Sequence, residues 1–215
     1  MPEFHNLQCY TVLDRRTFRD TISRFETVLR TCGVRGARVE EYLRTAGWES
    51  PADEFVSTGN HAWVEFASAG FHLRAAPHIV GYTPDAFPGQ DRGWLEVGML
   101  FETEDLQTGS SFSTWAYKPG LGPAIWNLMT HFGPAFSEVG IFFTDEAQDG
   151  QALEGLIEDS EARWQFDLAW IPENNAARFS QRPDAFIQRR VPGGVGIARK
   201  GAWSDPPWDG PGPPA

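Results

Sequence analysis

The sequence predicts a single α+β domain, in which about four helices cover a mixed, mainly antiparallel sheet of about six to eight strands. The main observations are short apolar runs with the period of two that is typical of strands, and other stretches with helical spacing. At 215 residues the chain is long enough to bury a substantial core in one domain. Residues 1–200 are assigned to this domain and residues 201–215 to a flexible tail rich in Pro and Gly.

The chain opens with a predicted strand and two helices. Residues 4–12 have the composition of a strand, and Asp14 then stands where the N-cap of a helix is expected. Apolar residues at helical spacing indicate the helix, and Gly33 ends it. These apolar residues are Phe18, Ile22, Phe25 and Leu29. A shorter helical stretch covers residues 37–46 and closes at Gly47.

The middle of the chain is predicted to consist mostly of strands. Residues 61–67 and 71–76 are joined by Ser-Ala-Gly, which is typical of a hairpin. Residues 77–93 are rich in Pro, Gly and Asp and are predicted to form a loop. Residues 94–103 and 111–117 follow as two further strands.

Helices and strands are mixed in the next part of the chain. Pro123 occupies a favourable first position for a short helix that continues to residue 131. Residues 138–144 have the composition of a strand, and residues 151–161 that of a helix. Between residues 164 and 170, large apolar side chains alternate with Gln, Asp and Ala, which predicts a half-buried strand.

The C-terminal part is predicted to hold a last helix, a last strand and the tail. The helix is expected over residues 183–190 and the strand over residues 195–199. The tail reads GAWSDPPWDGPGPPA, in which Pro removes amide donors and prevents a regular core element. We expect this tail to be unattached and dispensable for folding, although Trp203 and Trp208 offer anchors.

Charge is strongly segregated along the chain. The formal net charge is −11, but residues 45–175 alone carry −16, while residues 1–44 carry +2 and residues 176–215 carry +3. A field of this kind attracts basic surfaces and repels nucleic acid and anionic membranes. The sequence therefore predicts a basic protein partner and neither nucleic-acid nor membrane binding.

A repeated pattern places part of this charge at two strand ends. Residues 96–109 and 138–150 align with one residue of slack and share seven identical positions. In each copy a strand runs into an acidic turn, and its apolar side chains are expected to face the core: Val97, Met99, Phe101, Val139, Ile141 and Phe143. If the strands are neighbours and parallel, the turns meet at one edge of the sheet and form a partner-binding surface; two separate solvated turns are the alternative. The acidic residues are Glu102, Glu104, Asp105, Asp145, Glu146 and Asp149.

The aromatic residues support a different hypothesis. The chain has nine Trp and 16 Phe, and most of them are expected in the core. Four Trp could instead line a ligand pocket in which Asp167 supplies a carboxylate. These four are Trp94, Trp115, Trp126 and Trp170. The protein would then be an enzyme or a small-molecule-binding protein, and a structural subunit of a homodimer is a further alternative.

No catalytic or metal-binding motif is found in the sequence. Patterns such as G-x-S-x-G, HExxH and the EF-hand loop do not occur, and Cys9 and Cys32 are too few for a disulfide framework or a zinc site. We therefore expect no cofactor and no metal. The N-terminus has no signal-peptide pattern, and no apolar run approaches the length of a membrane span, which indicates a cytoplasmic protein.

These patterns favour a non-enzymatic binding protein. It would present an acidic, aromatic-bearing surface to a basic partner, as an immunity protein or inhibitor of a bacterial toxin must do. Electrostatic attraction would speed the encounter, and buried aromatic anchors would supply most of the affinity. The Trp-lined pocket and the homodimer remain the alternative hypotheses.

Overall fold

The computed structural model describes residues 4–48, 55–57, 62–87, 89–108 and 116–209. It is built on one large sheet and confirms the predicted α+β class. Its strands are β1 Phe4–Leu13, β2 Phe55–Ser57, β3 Val64–Ser68, β4 Phe71–Tyr82, β5 Gly93–Glu102, β6 Gln107–Thr108, β7 Ala116–Tyr117, β8 Ile141–Asp145, β9 Leu168–Pro172, β10 Phe186–Val191 and β11 Gly194–Arg199.

Helices lie between several of these strands. They are α1 Phe18–Thr31, α2 Ala37–Thr45, α3 Thr103–Leu106, α4 Leu121–Phe132, α5 Gln151–Glu158 and α6 Glu173–Ala176. Short 3₁₀ turns occur at Pro84–Ala86, Glu146–Gln148, Glu161–Trp164, Ala177–Phe179 and Pro207–Asp209. Over the described ranges, no helix combines the length and the apolar character needed to cross a bilayer.

The strand order of the large sheet is β10-β11-β9-β8-β1-β5-β4-β2, and β3 also pairs with β4. Within the described residues, every strand pair is antiparallel. β1 is central, because β5 pairs along one side of it and β8 along the other. β5 and β8 therefore run in the same direction and finish at the same end of the sheet.

Helices cover both faces of this sheet. On the first face, Leu7 and Cys9 of β1 pack with the apolar sides of α1, α2 and α4. On the second face, Tyr10 of β1 and Phe142 of β8 pack with α5. Alternation along β1 thus supplies side chains to two separate cores, as the period of a strand requires.

The predicted stripe of α1 is buried as expected: Phe18, Ile22, Phe25 and Leu29. Gly33 follows the helix with a positive φ of 83°, which a residue without Cβ adopts without strain. The expected N-cap differs, because α1 begins at Phe18 and Thr17 occupies that position. Asp14 instead accepts hydrogen bonds from the backbone and side chain of Arg16.

The two repeated segments lie in the same sheet, as β5 and β8. They are not neighbours, because β1 separates them. All six apolar side chains of the repeat are buried. Five of them belong to the core on the first face, whereas Val139 precedes β8 and packs in the core on the second face.

Several segments differ from the predicted secondary structure. The half-buried strand predicted over residues 164–170 begins only at residue 168, after a 3₁₀ turn at Glu161–Trp164, and β9 is buried along its length. Residues 77–82 extend β4 instead of forming a loop, and Pro77 falls between the stretches of β4 that pair with β3 and β2. Because Pro77 pairs with neither β3 nor β2, its missing amide hydrogen removes no hydrogen bond to those two strands. Residues 186–191 form β10 instead of a helix, because a two-residue turn at Pro192 and Gly193 pairs them with β11.

The C-terminal segment is the largest correction. Residues 201–209 pack on the body instead of forming an unattached tail, and residues 210–215 lie outside the described ranges. The Trp203 ring stacks on Tyr117 with 4.2 Å between centroids, and its Nε1 donates to the Asp167 carbonyl at 2.9 Å. Trp208 packs edge-on against Trp126. The two indoles therefore provide the apolar contacts that hold this Pro-rich segment in place.

Candidate functional site

A groove lined by three Trp side chains is a concave site among the described residues. Trp126 comes from α4, Trp170 from β9, and Trp208 from the C-terminal 3₁₀ turn. The groove has a volume of about 760 Å³, which lies within the range of small-molecule sites. We call this site, with its rim residues Arg189 and Arg190, the Trp groove.

Close packing against β11 fixes the indole rings of the Trp groove. The centroids of Trp126 and Trp208 are 5.6 Å apart at an interplanar angle of 76°, an edge-to-face pair. Both rings lie against Gly196 of β11, where an added Cβ would come within 2.9 Å of each. Trp170 is 6% exposed, so its ring is held firmly in the core while one side faces the groove. The aromatic surface is therefore preorganised.

The rim of the Trp groove is basic. Arg189 and Arg190 lie on β10, the strand at the edge of the sheet. Arg189 forms an ion pair with Asp209, and both side chains are about half exposed. Arg190 is the next residue of the strand, so its side chain points to the other face of the sheet. A guanidinium group next to aromatic rings favours a ligand that carries an anionic group.

The structure brings together only two of the four Trp predicted to line a pocket, Trp126 and Trp170. Trp94 lies on the other face of the sheet, where Arg92 covers its ring at 4.8 Å from the centroid. It lines a separate cavity of about 290 Å³. Trp115 lies outside the described residues. Asp167 is not part of either cavity.

Asp167 is a buried structural carboxylate in this fold. Its side chain is shielded from solvent, and the Tyr117 hydroxyl donates to Oδ2 at 2.6 Å. The Nε of Arg199 lies 3.4 Å from Oδ1, and the backbone carbonyl of Asp167 accepts the Trp203 hydrogen bond. Burial raises the pKa of Asp167, opposed by the Tyr117 hydrogen bond and by Arg199. These contacts make Asp167 an anchor for the C-terminal segment.

The structure places five of the six predicted acidic residues at one end of the sheet. Glu102 and Asp145 sit opposite Phe4 and His5, the first residues of β1. The remaining residues follow directly in α3 and in the 3₁₀ turn after β8. We call this surface the acidic end, and its members are Glu102, Glu104, Asp105, Asp145 and Glu146.

Contacts within the protein fix two side chains of the acidic end, Glu102 and Asp145. Glu102 forms a 2.7 Å ion pair with Arg74, whose guanidinium also lies 5.2 Å from the centroid of the Trp63 ring. Trp63 in turn stacks on Phe4. Asp145 accepts the backbone N–H of Gln148 at 3.0 Å and caps the 3₁₀ turn. The surface therefore combines acidic groups with a half-buried aromatic pair.

Asp149, the sixth acidic residue, contacts a buried polar cluster on β1 and β5. Its Oδ1 accepts hydrogen bonds from the side-chain amides of Gln8 and, at 3.3 Å, Asn6. The same two amides donate to Oε1 of Glu96, at 3.2 Å from Gln8 and 2.9 Å from Asn6. Glu96 is 0% exposed, and the Tyr82 hydroxyl donates to its second oxygen at 3.0 Å. Two carboxylates therefore share two amide donors.

The environment favours the protonated forms of this pair. Burial raises the pKa of Glu96, although the hydrogen bonds from Gln8, Tyr82 and Asn6 act in the opposite direction. Burial, and then the charge of Glu96, raise the pKa of Asp149 to about 6. Burial keeps Tyr82 neutral by raising its pKa. His78 Nε2 lies 3.7 Å from Glu96 Oε1.

Comparison with known proteins adds no identification. No protein-family model, curated protein or solved structure matches this chain. Over the described residues, no three His, Cys, Asp or Glu side chains are grouped so as to hold a metal ion. A proposal about function therefore rests on the geometry of the sites described above.

Sequence reasoning missed the basic rim, the third Trp and the buried carboxylate pair. Arg189 and Arg190 were assigned to a helix, and Trp208 to an unattached tail. Glu96 carried a usable signal, because it is a lone acid within the apolar run of residues 94–101. Asn6 and Gln8 also alternate with apolar residues in the first strand, which indicates one polar face.

Proposed function

We propose that this protein binds a flat, apolar ligand that carries an acidic group, and that the Trp groove is the binding site. The observation that carries this proposal is the convergence of three indole rings and the Arg189 guanidinium on one cavity of about 760 Å³. Cavities of this size with aromatic walls and a few oriented polar groups are the usual form of small-molecule sites.

The indole rings account for affinity. A planar ligand between Trp126, Trp208 and the exposed side of Trp170 would bury apolar surface on several sides at once. Aromatic pairs contribute about 0.5–1.5 kcal/mol beyond the burial of their area. Because the core and Gly196 hold the rings in place, little side-chain entropy is lost on binding.

Arg189 accounts for the charge of the ligand. The chain as a whole is strongly acidic, yet one side of the groove, from Arg189 to Trp208, belongs to residues 176–215, which carry +3. A ligand carboxylate or sulfonate would compete with Asp209 for Arg189. The surrounding negative field disfavours the same ligand elsewhere on the surface.

The first prediction uses 8-anilinonaphthalene-1-sulfonate, an anionic aromatic dye, as the probe. We expect saturable binding to the folded protein, measured by dye fluorescence. Trp126→Ala and Arg189→Glu should each raise the Kd by about tenfold or more, a loss of about 1.4 kcal/mol. N-phenyl-1-naphthylamine, which lacks the sulfonate, should respond to Trp126→Ala and not to Arg189→Glu.

Matched variants away from the groove serve as controls. Trp63→Ala removes a half-buried indole at the opposite end of the sheet, and Arg38→Glu makes the same charge change on α2. Both should leave dye affinity unchanged. The ligand proposal fails if the control variants raise the Kd for the dye as much as the groove variants do. It also fails if the folded protein does not bind the dye.

A second candidate function is supported by the acidic end. Because β5 and β8 finish at the same end of the sheet, the acidic groups of both repeats lie on one surface beside Phe4 and Trp63. A basic protein partner would meet both charge and aromatic anchors there. We propose this surface as the partner site of an immunity protein or toxin inhibitor, independently of the Trp groove.

The second prediction tests the acidic end by charge reversal. A triple variant, Glu104→Lys, Asp105→Lys and Glu146→Lys, should keep its thermal stability within a few degrees, because Glu104 and Glu146 are exposed and Asp105 is only partly buried. It should lose association with a basic partner captured from source cells. Wild-type association should weaken with added salt, since screening acts over about 8–10 Å.

A reversal of equal charge elsewhere is the control for this experiment. Glu158→Lys, Glu161→Lys and Asp184→Lys change exposed acids that lie away from the acidic end. This control should retain the partner, and so should Trp126→Ala. Equal loss in both triple variants would indicate a general charge effect and would contradict a specific acidic partner surface.

A further inference from the structure

Neither proposed function uses the Glu96–Asp149 pair, whose two carboxylates are held by different parts of the fold. Glu96 is fixed on β5 in the middle of the sheet, whereas Asp149 belongs to the turn that links β8 to α5. Side chains of Gln8 and Asn6 on β1 bridge the two carboxylates. Asp149 is exposed as a residue, so its carboxylate can exchange protons with water while one oxygen contacts a buried cluster.

We propose that this pair is a pH-sensitive switch: one shared proton holds the turn at residues 145–150 against β1, and loss of that proton releases the turn. When the pair holds a proton, one carboxyl is neutral, and all bridging hydrogen bonds can form without repulsion. When both carboxylates are ionised, two negative charges share the same two donors, and Glu96 is fully shielded from water. Asp149 can relieve this repulsion because it lies in a turn, whereas Glu96 cannot leave the sheet.

Apart from His78, the groups that face the pair are uncharged or negative. From β1, Asn6, Gln8 and Tyr10 face it, and all three are uncharged in this environment. From β4 come His78 and the neutral Tyr82. The turn and α5 add further negative charge through Glu146 and Glu154.

His78 is the basic group that faces the pair, and its charge lowers the pKa of Asp149. Its Nε2 lies 3.7 Å from Glu96 Oε1. Burial raises the pKa of Asp149 to about 6, which places the transition of the switch between about pH 5 and 7.

Release would change the surface of the protein. Asp149 follows Glu146 in the chain, and a released carboxylate would add negative charge next to the acidic end. The capping contacts of Asp145 and Gln148 belong to the same turn and would loosen with it. Loss of the proton is therefore the trigger, and the resulting structural change is the release of residues 145–150 from β1.

The third prediction gives the sign of the stability change. A folded-state pKa above the unfolded value of 3.8 means that the folded chain binds the proton more tightly. The stabilisation is therefore complete below about pH 4 and is lost as pH rises through about 6. Asp149→Asn mimics the protonated side chain, so its Tm should match wild type at pH 4 and exceed it by a few degrees at pH 7.5.

Two local measurements separate the switch from a general change in stability. Hydrogen exchange at the amides of Gln148 and Gly150 should be about tenfold faster in wild type than in Asp149→Asn at pH 7.5. The two proteins should exchange equally at pH 5. The Cys9 amide in β1 should not differ between them at either pH. In ¹³C NMR, Glu96→Gln should move the midpoint of Asp149 from about 6 toward 3.8, because the repelling neighbour is gone.

Asp184→Asn is the matched control, because Asp184 is an exposed acid outside the cluster. It should reproduce the wild-type pH dependence of Tm and exchange. The proposal is overturned if Asp149 titrates near 4 in the wild type, or if Asp149→Asn keeps the full wild-type loss of stability between pH 4 and 7.5. It is also overturned if the Cys9 amide responds as strongly as those of the turn.

Discussion

Replacing Phe143 with Ala is expected to lower the free energy of unfolding by about 3–5 kcal/mol. Phe143 is 0% exposed and lies at the centre of an aromatic cluster. Its ring centroid is 5.6 Å from His5, 6.0 Å from Phe101, and 5.9 Å from Trp203. Truncation removes contacts to β1, β5 and the C-terminal segment together, and a close-packed interior refills such a cavity only partly. Denaturant unfolding monitored by circular dichroism measures the change.

Two variants test whether this loss comes from the cavity. Phe143→Leu keeps part of the apolar volume and should cost about half as much. Val12→Ala shortens a residue of β1 that is 37% exposed, and it should change stability by less than about 1 kcal/mol. If Phe143→Ala costs no more than Val12→Ala, the repeated strand does not pack in the core as described.

Local periodicity was sufficient to predict much of the fold. The stripe along α1 has a period of 3.6 residues and matches a buried helix face. The β3–β4 hairpin was predictable from the Ser-Ala-Gly sequence, of which Ala69 and Gly70 form the turn, and the repeat in β5 and β8 from shared alternation. Each of these sequence patterns spans about ten residues and does not depend on contacts with residues far away in the sequence.

The errors occurred where a distant partner decides the structure. Residues 186–191 contain polar and apolar positions that fit a helix or a strand, and pairing with β11 selects the strand. The order of β5 and β8 around β1 depends on contacts more than 80 residues apart. Composition correctly predicts that residues 201–209 hold no long element, but docking of Trp203 depends on Tyr117 and Asp167.

The candidate sites show the same limit. Trp126 and Trp170 were selected for their aromatic character, and the fold brings them together through α4 and β9. The acid expected to accompany them, Asp167, is buried under Trp203, so the groove carries Arg189 instead. The pairing of Glu96 with Asp149 follows from the bend after β8, which residue spacing does not encode.

Ending the chain at Lys200 is expected to lower stability by about 3–5 kcal/mol, the opposite of what the composition of the tail indicates. Burial of a large side chain contributes about 1.5–3 kcal/mol, and the truncation removes Trp203 and Trp208 together. The entropy regained by the freed segment offsets part of this loss. For a chain of this size, we expect Tm to fall by roughly 6–15 °C in thermal unfolding.

Shorter changes identify which contact is responsible for this effect. A chain ending at Asp209 keeps the whole docked segment and should unfold like the full chain. Trp203→Phe retains stacking on Tyr117 but loses the hydrogen bond to the Asp167 carbonyl, so it should cost about 1 kcal/mol, whereas Trp203→Ala should cost several times more. The truncation at Lys200 should also abolish dye binding, because Trp208 forms one wall of the Trp groove. A chain ending at Lys200 that keeps the wild-type Tm would show that the segment is not docked in solution, and the groove would then lose its third wall.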